Sequence, residues 1–325
     1  MDKFLSCDWG TSSFRLRLVE AETLKVLEER KSEQGIAATH RLWQQTHSQD
    51  PKKKLKFYLD RVREHITALG KSYSGLKGIP LMFSGMASSS IGMMNLPYGT
   101  VPFHTDGRDI HTAFFRELED WDNPLLLISG IQTDRDVMRG EETELVGLVS
   151  EMEEDDQDGI YVFPGTHSKH IKVESRKVTG FRTYMTGEFF ELLSKKSILA
   201  SSVEENTEFQ LPKNREIFEQ AVRQGAESNL LHASFGVRTN ELFGKADKKE
   251  NLHYLSGLLI GAELKELGQL KSAKIFLCCS SNLKSRYEAA FSSLGIHALK
   301  IFPAAWVDRA VVRGQIQIYH QAQKS

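Results

Sequence analysis

Phe4-Leu5-Ser6-Cys7-Asp8-Trp9-Gly10-Thr11-Ser12-Ser13-Phe14-Arg15-Leu16-Arg17-Leu18 carries the reading of the fold. An apolar run ends in Asp-Trp-Gly, and Phe14, Leu16 and Leu18 then alternate with Arg15 and Arg17. That pattern predicts a buried strand, a turn and a second strand. The scheme returns further on, where Ile160-Tyr161-Val162-Phe163 runs into Pro164-Gly165-Thr166 and a strand is predicted over 170–173. A chain that begins twice in this way predicts two related α/β halves.

Between the two beginnings, apolar runs at 80–83 and 124–128 each lead into a Ser-Gly pair, Ser84-Gly85 and Ser129-Gly130. Both read as central strands whose carboxyl ends open into loops, where α/β sheets bind ligands. A helix is predicted to start near Glu141. The acidic stretch 151–158 is poor in core formers and marks a boundary, giving domains 1–155 and 156–325. In the second half, helices are predicted over 187–195, 214–229, 252–267, 284–294 and 305–319, with strands over 274–279 and 298–302.

Bulk numbers exclude several classes. With 42 basic against 43 acidic side chains in 325 residues, no global field attracts a polyanion, and no Lys/Arg block carries interleaved aromatics. Nucleic acid is not an expected partner. Three cysteines, Cys7, Cys278 and Cys279, form neither a disulfide framework nor a metal-ligand pattern, so a reducing cytoplasm is expected. No leader and no membrane-spanning stretch is read from the sequence, so membrane partners are not expected either.

Five blocks extend the reading: Cys7-Asp8-Trp9-Gly10-Thr11-Ser12, Val137-Met138-Arg139-Gly140-Glu141-Glu142-Thr143, Pro164-Gly165-Thr166-His167-Ser168-Lys169, Phe181-Arg182-Thr183-Tyr184-Met185-Thr186-Gly187-Glu188, and Leu255-Ser256-Gly257-Leu258-Leu259-Ile260-Gly261-Ala262-Glu263. In order and over nearly the whole chain they resemble the 2-dehydro-3-deoxygalactonokinase family, of the actin, hexokinase and Hsp70 structural class. The resemblance implies a two-domain actin-like (ribonuclease H-like) ATPase fold with a central cleft. It also implies ATP and Mg²⁺ as cofactors, phosphorylation of 2-dehydro-3-deoxy-D-galactonate at its 6-hydroxyl, and room for a homodimer. Two departures stand out: Ser280-Ser281 occupies the place of a family Gly-Thr pair near the nucleotide base, and Pro303-Ala304-Ala305 replaces a Gly-Asp pair.

On this reading Asp8 directs Mg²⁺ through water, and the turn at Gly10 with Thr11, Ser12 and Ser13 offers amides and hydroxyls to phosphate. A plain tight hairpin with Asp in its turn would carry the same residues. Gly165, Thr166, His167 and Lys169 form the second phosphate turn, or an exposed hairpin. Glu141 is the candidate base, with Glu142 and Asp136 as substitutes, although acidic residues in a first helical turn also suit the macrodipole. Arg139 and Arg182 are candidates for the substrate carboxylate because a guanidinium matches it in two parallel bonds; either could instead pair with Glu142 or Glu188. Ser84, Gly85, Met86 and Ser88 are read as lining the sugar site, with Met86 in the core as the plainer alternative. Gly257, Ser280 and Ser281 are assigned to the nucleotide, against helix packing and helix capping respectively. A kinase for another 2-keto-3-deoxy sugar acid, an exopolyphosphatase-like phosphatase on the same fold and a non-catalytic sugar sensor are the other functions considered.

Overall fold

The opening stretch forms two strands, β1 (Lys3–Trp9) and β2 (Phe14–Glu20), paired antiparallel with Trp9 opposite Phe14. The computed structural model describes residues 1–46, 48, 50–205, 208–270, 273–279 and 283–324. It continues with β3 (Val26–Ser32), α1 (Ile36–Gln44), α2 (Pro51–Leu69), β4 (Leu81–Gly85), β5 (Gly99–Thr100), β6 (Phe103–His104), β7 (Thr112–Phe115), β8 (Leu125–Ile128), β9 (Ile131–Gln132), β10 (Val137–Met138) and α3 (Glu141–Val149). The sheet order is β3-β2-β1-β4-β8-β7, with β1, β4 and β8 parallel. A small sheet, β10-β9-β5, delivers the chain to the start of α3.

Then follow β11 (Gly159–Phe163), β12 (Ser168–Glu174), β13 (Lys177–Tyr184), α4 (Thr186–Lys196), α5 (Pro212–Glu227), α6 (Leu230–Ser234), α7 (Gly236–Leu242), α8 (Lys248–Leu264), β14 (Ile275–Leu277), α9 (Lys284–Ser293), β15 (Leu299–Ile301) and α10 (Ala304–Ala322). Here the order is β15-β14-β11-β12-β13-β6, with β11, β14 and β15 parallel and β6 antiparallel to β13. Numbered within each half, the first sheet runs third, second, first, fourth and then β8 and β7, and the second, read from β13, runs third, second, first, fourth, fifth. The repeat expected from two Gly turns therefore extends to the order of the first four strands, with a parallel fifth beside them, β8 in one sheet and β15 in the other.

The chain divides into two units, Met1–Asp158 with Lys172–Phe181 and Ala305–Ser325, and Gly159–Ile171 with Arg182–Ala304. This differs from the single cut at 155/156 read from the sequence. The first strand of the second half starts where expected, but α10 belongs with the first unit. Its Gln315 amide donates to the Cys7 carbonyl at 3.0 Å and to the Ser84 hydroxyl at 2.9 Å. Gly147 of α3 lies against the Ala310 carbonyl, and Gly314 of α10 against the Thr143 carbonyl, so the two helices cross at backbone contact. The tip of the β12–β13 hairpin is likewise counted with the first unit, where Lys177 pairs with His104 of β6.

In the first unit, α1 and α2 cover one face of the sheet over a core that includes Leu5, Cys7, Trp9, Phe14, Leu16, Tyr58, Val62 and Phe83. Asp50 caps α2 by accepting from the Lys52 amide at 2.9 Å, with Pro51 in the first turn. In the second unit, α5, α8 and α9 bury Phe218, Val222, Ile260, Leu264, Tyr287 and Phe291 against Val162, Ile275 and Leu277. Among the described residues, no helix is long and apolar enough to cross a membrane.

Candidate active site

In both units the first strand's turn is braced by the helix that follows the third strand. At the first turn, the Gly10 amide donates to the Ser13 carbonyl at 2.9 Å, while the Ile36 and Ala37 amides of α1 donate to the Gly10 and Thr11 carbonyls at 2.9 and 3.0 Å. At the second, the Gly165 amide donates to the Ser168 hydroxyl at 3.3 Å and the Glu188 amide of α4 to the Thr166 carbonyl at 3.0 Å. A glycine permits each close approach. A Cβ on Gly35 would overlap the Thr11 carbonyl and Ser12 backbone, and one on Gly187 would lie 2.6 Å from the Gly165 carbonyl. Gly35 has no role in the sequence reading and Gly187 enters it only within the Phe181–Glu188 block, because the need for each glycine arises from a contact some 20 residues away.

Thr11, Ser12 and Ser13 are exposed, and nothing lies within 4 Å of where a Cβ on Gly165 would sit. His167 contacts the Glu188 carboxylate through Nε2 at 2.5 Å. Lys169, read as an exposed hairpin residue or phosphate ligand, is instead buried at 4% exposure, and its ammonium donates to the His167 carbonyl at 3.3 Å. Its charge lies beneath the turn.

Asp8 pairs with Arg15 of β2 and Ser84 of β4 in the sheet register and is half-buried. Next to it, Gly85 has φ +78° and Gly140 has φ +114°, conformations that suit glycine, and the two pack together, with the site of a Cβ on Gly140 only 3.4 Å from the Gly85 Cα. This brings the start of α3 to the end of β1. Burial raises the Asp8 pKa and the Glu141 charge adds to it, while Arg15 and Arg17 act in the opposite direction. Glu141 is half-buried and accepts from the Arg139 amide at 3.1 Å. Glu142 is fully buried, with its carboxylate on the Gly140 amide at 2.7 Å and the Thr143 hydroxyl at 3.0 Å, so it braces the helix start instead of facing a substrate. Asp136 caps its own turn through the Val137 amide at 2.8 Å.

One carboxylate escaped the sequence reading. Burial, then the charges of Asp8, Glu141 and Glu142, push Glu144 up to about 8, and burial with the Glu141 charge pushes Glu142 up to about 7. Its position three residues past Glu141, on the same helix face, was the available signal. Both groups hold protons in the folded chain that the unfolded chain releases near 4.5, so stability falls as pH rises from there through about 8. Accordingly, the melting temperature should decline between about pH 5 and pH 8, and Glu144→Gln should flatten that decline. A wild-type melting temperature that rises across this window would contradict the assignment.

Arg139 ends the path from β10. Its Nη1 donates to the Ser88 carbonyl at 2.8 Å and hydroxyl at 2.6 Å, and the guanidinium lies 4.2 Å from the Tyr98 ring centroid. Nε and Nη2 are buried and have no protein partner. Neither Glu142 nor Glu188 takes them. Arg182 is different: it is exposed on β13 and pairs with Glu266, another partner than those weighed from sequence. Of the predicted sugar loop, Ser84 is buried with its hydroxyl on Gln315, and Met86 packs on the core, so neither presents a group to a ligand. Ser88 serves by holding Arg139.

Gly257 is corrected to a packing role. A Cβ there would meet the Phe218 carbonyl and lie 2.8 Å from the Ala221 Cβ, so its missing side chain lets α8 close on α5. Ser280 and Ser281 lie outside the described residues. Among the described residues no three His, Cys, Asp or Glu side chains converge as metal ligands. A hard cation that keeps its waters and takes one protein carboxylate fits the Asp8 strand end.

The repeated strand order, with a braced Gly turn after the first strand of each unit, defines the class: a two-unit α/β chain of the actin-like ATPase fold. Comparison with known proteins narrows it. The 2-keto-3-deoxy-galactonokinase family matches residues 8–318, and the chain belongs to that family. It is 28% identical over 300 residues to a 2-dehydro-3-deoxygalactonokinase of Escherichia coli, covering 90% of each chain. It is 31% identical over 307 residues to a Rhizobium meliloti protein named "Probable 2-dehydro-3-deoxygalactonokinase", again covering 90% of each. A crystal structure of a Sinorhizobium meliloti protein assigned as a 2-dehydro-3-deoxygalactonokinase superposes with TM-score 0.78 at 28% identity, over 99% of this chain and 96% of that one.

Proposed function

We propose that this protein transfers the γ-phosphoryl group of ATP to the 6-hydroxyl of 2-dehydro-3-deoxy-D-galactonate, giving the 6-phosphate ester and ADP. The observation that carries this reading is Arg139, whose two buried, unpartnered N–H groups await an acceptor in the same unit as the Asp8 and Glu141 carboxylates. A buried donor without a partner is costly, and a sugar-acid carboxylate supplies two acceptor oxygens in matching geometry.

Phosphoryl transfer asks the protein mainly to position groups and to balance charge. The substrate's hydroxyl oxygen attacks the γ-phosphorus, the bond to the β-phosphate oxygen breaks with its electron pair leaving on ADP, and Glu141 takes the hydroxyl proton. Asp8 is the group that would hold Mg²⁺ through water, and the cation would neutralise phosphate charge. The exposed hydroxyls and amides at Thr11 and Ser12, and those at Thr166 beside the open face of Gly165, are assigned to the nucleotide's phosphates. Dependence on a nucleotide of the cell interior supports action in the cytoplasm.

The test is a coupled assay for ADP across a panel of 2-keto-3-deoxy sugar acids, with and without Mg²⁺. ADP formation that needs both the metal and the galactonate-derived acid is expected. Equal ATP turnover without any sugar, or phosphate release from polyphosphate, would sink the reading.

A further inference from the structure

Beneath the second Gly turn lies a buried polar cluster that no step above uses. Its centre is Glu263, near the end of α8 and 3% exposed. Its Oε1 lies 3.0 Å from His170 Nε2, and its Oε2 accepts from the Tyr287 hydroxyl at 2.8 Å and from the Thr186 hydroxyl. The Tyr287 oxygen lies 3.2 Å from the Ser168 hydroxyl, which in turn accepts the Gly165 amide at 3.3 Å. Ser168, Tyr287 and His170 are all buried.

The directions of these bonds follow from chemistry. A carboxylate only accepts, so Tyr287 spends its one proton on Glu263. Its oxygen must then accept from Ser168, and the Ser168 oxygen is left to accept from Gly165. The row Gly165 N–H, Ser168 O–H, Tyr287 O–H, Glu263 runs one way, each bond polarising the next. Burial and the Glu263 charge both hold the Tyr287 pKa well above its ordinary value, which keeps that hydroxyl a donor. The same carboxylate takes Thr186, the first residue of α4, whose next two residues brace the turn through Gly187 and Glu188.

We propose that Glu263 is a positioning residue for the nucleotide. As the terminal acceptor of two branches, one through Tyr287 and Ser168 and one through Thr186, it fixes the Gly165–Thr166 turn and the helix start that braces it. It commits the Gly165 amide to the protein, leaving the amides and hydroxyl beyond it to a phosphate. This rests on the assignment of that turn to the nucleotide.

The experiment measures kcat, KM for MgATP, KM for the sugar acid and melting temperature on the full chain. Glu263→Gln places an amide where two hydroxyls donate, and it should raise KM for MgATP roughly tenfold or more while KM for the sugar acid moves less than about twofold. Tyr287→Phe should shift the same constant in the same direction, and adding it to Glu263→Gln should add little, because both cut one row. An unchanged KM for MgATP with a lowered melting temperature would reduce Glu263 to a core residue and overturn the proposal. If Glu263→Gln does not fold, Tyr287→Phe decides alone by the same criterion. Gly165→Ala separates the two levels, since a Cβ there meets nothing within 4 Å and should not disturb folding. If it weakens MgATP while the Glu263 and Tyr287 variants do not, the positioning role fails and the turn's assignment stands. If it leaves MgATP untouched, both fail.

Discussion

Glu141→Gln is expected to lower kcat by roughly 10²- to 10⁴-fold while KM for both substrates changes little. The substitution keeps the side chain's length and its acceptor for the Arg139 amide, which lies 3.1 Å away, and removes only the oxygen that takes a proton. The competing role is an acidic residue favoured in a first helical turn, shared here with Glu142 and Glu144. That role predicts a stability loss of about 0.3–1 kcal/mol and a normal rate. Measuring kcat and melting temperature on one preparation separates the two. A variant that turns over normally would overturn the assignment of Glu141 as the base.

Arg139→Met should raise KM for the sugar acid on the order of 10²-fold, as two charge-assisted bonds of about 1.5–3 kcal/mol each are lost. Its effect on folding should be small. The chain gives up two bonds to Ser88 and the stacking on Tyr98, and in return no longer buries two N–H groups without partners. Weak substrate binding with a near-native melting temperature is the signature of a group kept for a ligand at the expense of stability. A large drop in melting temperature with an unchanged KM would show Arg139 to be structural. Arg139→Lys should recover little, because an ammonium cannot offer the planar fork.

The repeated strand and turn were legible because every signal lies within about a dozen residues, and the apolar runs feeding Ser84-Gly85 and Ser129-Gly130 were legible for the same reason. Long-range facts were not. Nothing local ties α10 to the first unit; the tie is Gln315, reaching Cys7 and Ser84 from 308 and 231 residues away. Gly257 could not be assigned from spacing, since a glycine facing adenine and a glycine facing a helix look alike in sequence. Lys169 illustrates the same limit: alternation placed it in a hairpin, but only the fold shows its ammonium turned under His167.

Some signals were present and unused. α2 follows an Asp50-Pro51 start with Leu55, Tyr58, Leu59, Val62, Ile66 and Leu69 at helical spacing, yet it did not enter the sequence reading. The Arg-Gly-Glu-Glu block falls, as read, at the end of β10 and the start of α3. What it could not supply was the division of labour within it, in which Glu142 braces the helix start, Glu141 stays half-buried and Arg139 holds two N–H groups open. That division depends on the glycine contact between Gly85 and Gly140, which no sequence pattern reports.

The most direct test of the central claim is to follow labelled γ-phosphate with the purified chain, ATP, Mg²⁺ and 2-dehydro-3-deoxy-D-galactonate. The account predicts one 6-phosphate ester formed for each ADP, and no label transfer when the sugar acid is omitted. Label appearing as inorganic phosphate at the same rate with or without the sugar acid would contradict it.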